Sequence, residues 1–377
     1  MTYGRFDYRM AGAHKRLIAL VLPAALAGCH ADGQVARDAT LKVAATSNEL
    51  IWNAVVAEGS RVFVSGPRWA GGTGPQLAVI EDGSVSPFPD RRWNSWKRGD
   101  PAGDKFVNIN ALHRAPDGAL WVVDSGSPEF GGDPLLLGAK IVRIDLATGK
   151  VTKVIHFASD VARPGSYIDD IRFNGNHAYL SDAGRPGIIV LDLKTNEARR
   201  VLGEDPSTRA SDKRPIQVDG AVLKGPDGSP LKVHSDPLEL SPDRDWLMYG
   251  PLAGPWSRVP TEALDNPELS ANELARKVQP FADFPPTGGT TIDAKGNLYY
   301  SELSTNSIKV RAPNGSTRTI AHDARLHWVD AMYIDDAGIL WMPAAQVDRV
   351  GLFHGGRAQL KQPVQLFTLE LPKGTRR

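Results

Sequence analysis

One unit recurs six times along the chain: a polar residue, a short apolar strand, a turn containing Gly, Asp or Asn, and a second strand rich in aromatic and branched side chains. The copies are NAVVAEGSRVFVSG (53–66), NALHRAPDGALWVVDSG (110–126), DDIRFNGNHAYLSDAG (169–184), DPLELSPDRDWLMYG (236–250), GTTIDAKGNLYYSE (289–302) and DAMYIDDAGILWMPA (330–344). Their turns, PDG, NGN, DAKGN and DDAG, lie between alternating apolar runs, the signature of β-hairpins. Further strand pairs follow several of them: AKIVRIDLATGKVTKVIHF (139–157), GIIVLDLKTNEARRVL (187–202) and SIKVRAPNGSTRTIA (307–321). Each unit is therefore a four-stranded meander. A small sheet cannot bury two faces alone, and repeated sheets solve that by packing radially around an axis. The expected fold is all-β, a six-bladed β-propeller of four-stranded antiparallel blades over residues 41–377. A β-sandwich would not repeat six times, and no linker divides the chain into two β domains. Closure is expected from LKVAAT (41–46) pairing beside VQLFTLEL (364–371), which hides a sheet edge. The one helical-looking insert, ALDNPELSANELARKV (263–278), reads as decoration on blade four.

Ahead of the repeats, basic RFDYRMAGAHKR precedes apolar LIALVLPAALA and then Gly28-Cys29. That order is a secretory signal peptide over residues 1–28, with an apolar run too short for a membrane span of about 20 residues. Leu26-Ala27-Gly28-Cys29 resembles a bacterial lipobox, in which Cys29 is lipidated and becomes the mature N-terminus; the alternative is an ordinary signal peptide with an incidental cysteine. Residues 29–40 then read as the lipidated Cys29 and a tether. The chain is expected to be an exported bacterial lipoprotein, held to a membrane through its N-terminus. Cys29 is the single cysteine, so an intrachain disulfide is excluded and the hydrophobic core alone must stabilise the fold. With 44 Lys+Arg against 43 Asp+Glu there is no basic footprint for nucleic acid. A monomer is expected. No GxxxxGK[ST], HExxH, GxSxG or CxxC pattern occurs, which removes nucleotide, zinc-protease, serine-hydrolase and thiol-redox readings.

LWVVDSG, AKIVRIDLATGKVTKVIHF, SYIDDIRFNGNHAYLSDAGRPGIIVLDLKTNEARRVL and LSPDRDWLMYGPLAGPWSRVPTEAL together resemble the Yellow and major royal jelly protein family, in its bacterial form, over nearly all of residues 47–372. The resemblance implies a six-bladed propeller, export and a small-molecule pocket at the central channel. Insect relatives are linked to dopachrome conversion or to binding of biogenic amines and sterols; their cysteines are absent here. More distantly the chain is similar to gluconolactonase and regucalcin propellers, which hold a divalent metal at one channel mouth through a Glu of blade one and Asn or Asp residues ahead of later innermost strands. That likeness implies Glu49, Asp169 and Asp236 as metal ligands, although the spacing of the set is only partly kept.

The repeat itself supplies a register for channel residues. Asn110, Asp236 and Asp330 each lie 11 residues before the aromatic-strand positions Trp121, Leu247 and Trp341, and Gly288 holds the same place before Tyr299. Asp169 joins them if the third hairpin is one residue shorter, and Glu49 precedes the first innermost strand. Asn110, Asp169, Asp236 and Asp330, with Trp328, are thus the expected ligand-binding residues of the channel. Crowded carboxylates repel unless a cation or a proton intervenes. Their hard oxygens suit Ca²⁺ or Mg²⁺, while a site that includes His234 or His327 could hold Zn²⁺ or Mn²⁺. The alternative is that each Asp caps its own strand or pairs with Arg172, Arg244 or Arg258. His234, His327 and Asp330 are the candidate proton-transfer groups. Asp124, Asp182 and Glu302 form a second recurring set, expected to accept backbone N–H bonds as scaffold. Trp52, Trp69, Trp93, Trp96 and Trp256 are candidates for an aromatic pocket. The favoured function is binding of a small aromatic or cyclic molecule in the channel. The alternatives are a channel enzyme, either a metal-dependent lactonase or a dopachrome-type tautomerase, and a surface scaffold for protein interaction.

Overall fold

The computed structural model describes residues 40–376; the expected signal peptide and Cys29 lie outside the described residues. Six four-stranded antiparallel sheets follow one another, at residues 54–87, 109–156, 168–201, 235–282 and 287–322, with the sixth assembled from both ends of the chain. In that sixth sheet Lys42–Ser47 pairs with Val364–Glu370, which pairs in turn with Ile339–Ala344. The expected closure is present, and the first described strand is the outermost strand of the last blade.

The six-bladed β-propeller arises because every blade has two apolar faces. Leu120–Asp124 is buried along its whole length, which fits a strand covered on both sides rather than one face to solvent. The apolar clusters accordingly lie between neighbouring blades: Trp121, Ile141 and Phe173 between the second and third, and Tyr179, Leu247 and Tyr249 between the third and fourth. Trp121 meets Phe173 at 5.2 Å between ring centroids. Each Leu, Ile or Val fully buried this way contributes about 1.5–3 kcal/mol, enough to hold a ring of this size without a disulfide. The hairpin tips are set by turn chemistry. In Pro116-Asp117-Gly118 the glycine sits at φ 79°, and Asp117 Oδ1 accepts the Ala119 N–H at 3.0 Å.

The expected insert, residues 263–278, overlaps two five-residue helices, Thr261–Asp265 and Ala271–Ala275, between the last two strands of blade four. A capping box of Ser270 and Glu273 starts the second. The repeats do not announce the 202–234 insertion between blades three and four, which carries a small hairpin, Gln217–Val218 with Ala221–Val222.

Candidate ligand cavity

The innermost strands do not run smoothly into the axis. Register shifts interrupt them between Ile109 and Ala111, Ile168 and Ile171, Ser235 and Leu238, and Thr287 and Thr290. A β-bulge leaves a residue unpaired and re-aims its side chain. The residues set free are Asn110, Asp169 with Asp170, Asp236 with Pro237, and Gly288 with Gly289, so the sequence register located bulges. Asp330 occupies the matching gap of blade six, between the bridge at Val329 and the ladder starting at Tyr333. In blade five a side chain is sterically barred: a Cβ on Gly289 would stand 2.0 Å from the Asp330 carbonyl oxygen, and one on Gly288 would stand 2.5 Å from that of Val329.

Asn110, Asp169, Asp236 and Asp330 all line one cavity of about 310 Å³. Blade one contributes Asn53, not Glu49. Glu49 is exposed, outside the cavity lining, and hydrogen-bonds through its backbone to Ser47 and Thr73. Asn53 is 10 residues before Phe63, the same interval as Asp169 to Tyr179; the shorter-hairpin rule that places Asp169 also identifies it.

A chain of polar contacts fixes this ring. Asn53 Nδ2 donates to the Asn110 carbonyl oxygen at 2.9 Å and to Asn110 Oδ1 at 3.1 Å. The Tyr167 hydroxyl donates to the same Oδ1 at 2.9 Å, and itself accepts from Trp69 Nε1 at 2.9 Å and Asn108 Nδ2 at 3.3 Å. With its oxygen occupied twice, Asn110 turns Nδ2 to Asp169 Oδ1. Asn53 Oδ1 stays buried without a hydrogen-bond partner.

The three carboxylates have no cationic partner among the described residues. Arg172 pairs instead with Asp170 at 2.7 Å and Glu239 at 2.8 Å, below the ring. Burial lifts Asp169 well above the usual carboxylate range, with Asp236, Asp330 and Asp170 adding repulsion. Burial and then Asp330 and Asp170 do the same to Asp236. Asp330 is pushed up to about 7, chiefly by burial, against hydrogen bonds from the Ala331 N–H and the Trp328 side chain. Asp236 and Asp330 are half-buried, with the cavity on their open side. Beneath them a void of about 20 Å³ is lined by Asp170, Thr290 and the ring residues. The buried Arg172, Glu239 and Thr290 network, with Thr290 Oγ1 donating to Glu239 at 2.9 Å, links the innermost strands of blades three, four and five.

The walls come from loops. Trp69, in the 3-10 turn Arg68–Ala70, packs edge-on against Phe130 at 4.8 Å, and Phe130 meets Phe353 of the 3-10 turn Gly351–His354 at 5.5 Å. All three line the cavity with Tyr167 and Trp328. Trp328 holds φ at 49°, a left-handed value uncommon for a bulky residue and concentrated at functional sites. Trp52, Trp93, Trp96 and Trp256 are core instead. Phe130, Phe353 and Tyr167 fall in irregular segments, where no period marks them.

Neither histidine candidate reaches the cavity. His234 Nδ1 accepts the Ala210 N–H at 3.1 Å, and burial lowers its pKa. His327 is buried with Nε2 on Asp348 at 2.8 Å, which fastens the segment carrying Val347 and Phe353. Among the described residues no group of three or more His, Cys, Asp or Glu side chains is arranged to hold a metal ion.

Two of the three members of the second recurring set, Asp124 and Asp182, accept backbone N–H groups as expected; Glu302 accepts none among the described residues. Asp124 accepts the N–H groups of Val107, Asn108 and Gly126 and pairs with Lys140 at 2.7 Å, both side chains being fully buried. Asp182 accepts those of Tyr167, Gly184 and Arg185 and pairs with Arg200. Glu302 pairs with Lys309.

The sequence profile described as major royal jelly protein matches residues 116–362. No curated protein matches the chain in sequence. Among solved structures, the chain is similar to a protein of unknown function from Bacteroides thetaiotaomicron (11% identity, TM-score 0.55, 88% of this chain and 72% of that one). It is also similar to a putative gluconolactonase (12%, 0.51, 89% and 99%). A third is regucalcin from Agrobacterium tumefaciens, described as calcium-binding (14%, 0.50, 87% and 93%). At such identities the likeness is one of fold.

Proposed function

The chain belongs to the major royal jelly protein family, and on that footing we propose that it is an exported, lipid-anchored propeller that binds a small aromatic or cyclic molecule in its central cavity. One observation carries the reading: three carboxylates without a cation form the floor of a cavity whose wall is a cluster of Trp69, Phe130 and Phe353. Its volume lies at the small end of ligand sites, about 300–1,000 Å³. A ring system against the wall gains from apolar burial and edge-on contacts. A cationic or hydrogen-bond-donating group on the same molecule relieves the repulsion at the floor.

Tryptamine serves as a probe in calorimetric titration. Saturable binding is expected, weakened by about tenfold or more in Asp236→Asn. No saturable binding by the native protein would remove this reading. For the anchor, Cys29→Ser is expected to move the protein from the membrane to the soluble fraction; an unchanged distribution would count against lipidation.

A second reading draws on Asp330, whose pKa of about 7 suits a group that gives and takes protons near neutrality. A dopachrome-type tautomerase would use it as the proton carrier, with Asp169 steadied by the Asn110 amide. For the lactonase alternative, the oxygens of Asp169, Asp236 and the orphaned Asn53 Oδ1 would hold a divalent ion and suit Ca²⁺ or Mg²⁺. No histidine among the described residues lines the cavity, which disfavours Zn²⁺ or Mn²⁺. Such an ion would polarise a substrate carbonyl. Equilibrium dialysis followed by metal analysis tests it: one equivalent of Ca²⁺ displaced by tryptamine would place an ion at the floor.

A further inference from the structure

The cavity has two electrical ends. Against its acidic floor, the rim carries Arg185 and Lys232. Lys232 is already paired with Asp212, both of them well exposed. Arg185 has no carboxylate partner among the described residues, yet it is not loose. Its Nε donates to the Pro164 carbonyl oxygen at 2.7 Å, its backbone N–H donates to Asp182 Oδ1 at 2.8 Å, and its carbonyl oxygen accepts from Arg200 at 3.1 Å.

Gly165 lets the guanidinium lie close to the backbone. At φ 77° it is in a glycine conformation, and a Cβ there would stand 3.3 Å from Arg185 Nε. One edge of the guanidinium is therefore pinned, while its two terminal nitrogens have no hydrogen-bond partner among the described residues. A planar fork held this way matches a carboxylate through two parallel N–H bonds, with part of the ordering cost already met by the fold. Lining a cavity whose acidic floor repels anions, it would select for orientation as well as for charge.

We propose that Arg185 is a specificity-determining residue and that the ligand is an aromatic zwitterion, its cationic group at the floor and its carboxylate on the Arg185 fork. A free aromatic amino acid is the simplest molecule of that class. This rests on the reading that the cavity binds small aromatic molecules.

Tryptophan and tryptamine differ only by the carboxylate, so the pair isolates the rim. In calorimetric titrations of the native protein, tryptophan is expected to bind about tenfold tighter than tryptamine. Arg185→Ala is expected to erase that preference while leaving tryptamine within about twofold of its native affinity, and Arg185→Lys to restore part of it. Retained tryptamine binding in each variant reports an intact fold. If the native protein binds tryptamine but gains nothing from the carboxylate, the zwitterion inference is overturned and the binding reading stands. If it binds neither, both fall together.

Discussion

Two sets of acidic side chains recur around this propeller, and they have opposite electrostatic fates. Asp124 and Asp182, at the ends of second strands, are buried, saturated with backbone N–H donors and paired with Lys140 and Arg200. Asp169, Asp236 and Asp330, at the bulges and matching gap of innermost strands, face a cavity with no cationic side chain paired to them among the described residues. The first set is satisfied by the fold. The second is left with unmet interaction, and that is where a ligand or a proton has work to do.

The largest effect belongs to the satisfied set. Asp124→Ala would leave the Lys140 ammonium buried and unpaired, so a loss of about 3–5 kcal/mol is expected in urea unfolding. A loss under about 1 kcal/mol would break the comparison. The unsatisfied set predicts the reverse sign. The folded protein holds a proton on Asp330 up to about pH 7, whereas the unfolded chain releases it near pH 4. Across that window the folded state binds more protons, so this carboxyl makes stability fall as pH rises. Asp330→Asn is expected to be about 1–2 kcal/mol more stable than the native protein at pH 8, with little difference at pH 4. Equal stabilities at both pH values would refute the elevated pKa.

Smaller changes sharpen the contrast. Tyr167→Phe removes the hydroxyl that accepts from Trp69 and donates to Asn110, and is expected to cost about 1 kcal/mol and to weaken tryptamine binding. An unaltered affinity would show that the Asn110 amide is held without it. The least effect is expected at the partly exposed Lys309–Glu302 pair, where Lys309→Met should cost about 0.5 kcal/mol. A penalty matching that of Asp124→Ala would mean that burial does not separate the pairs.

How far the molecule is legible in its sequence follows from the same contrast. The blades are readable because turn residues and apolar alternation repeat, and Asn110, Asp236 and Asp330 because their hairpins keep one length. Asn53 escapes that rule only because the first hairpin is a residue shorter, and Glu49 precedes the bend rather than sitting at it. The bulges themselves leave no compositional mark; they show only in the ladder registers. Tyr167, Phe130, Phe353 and Arg185 come from loops, where sequence distance says nothing about which side chains meet. The histidines drew attention through their chemistry and their places just ahead of Asp236 and Asp330, but packing turned both away from the cavity.

The pairing of Lys42–Ser47 with Val364–Glu370 has a consequence in time. Of the described strands, the one that leaves the ribosome first finds its partner last, so the ring stays open until Val364–Glu370 has been made. A chain interrupted at any earlier residue carries an uncovered sheet edge, ready to pair with another molecule. Circular closure thus makes completeness a condition of solubility: a truncated copy is exposed to aggregation and proteolysis, while a finished one seals itself.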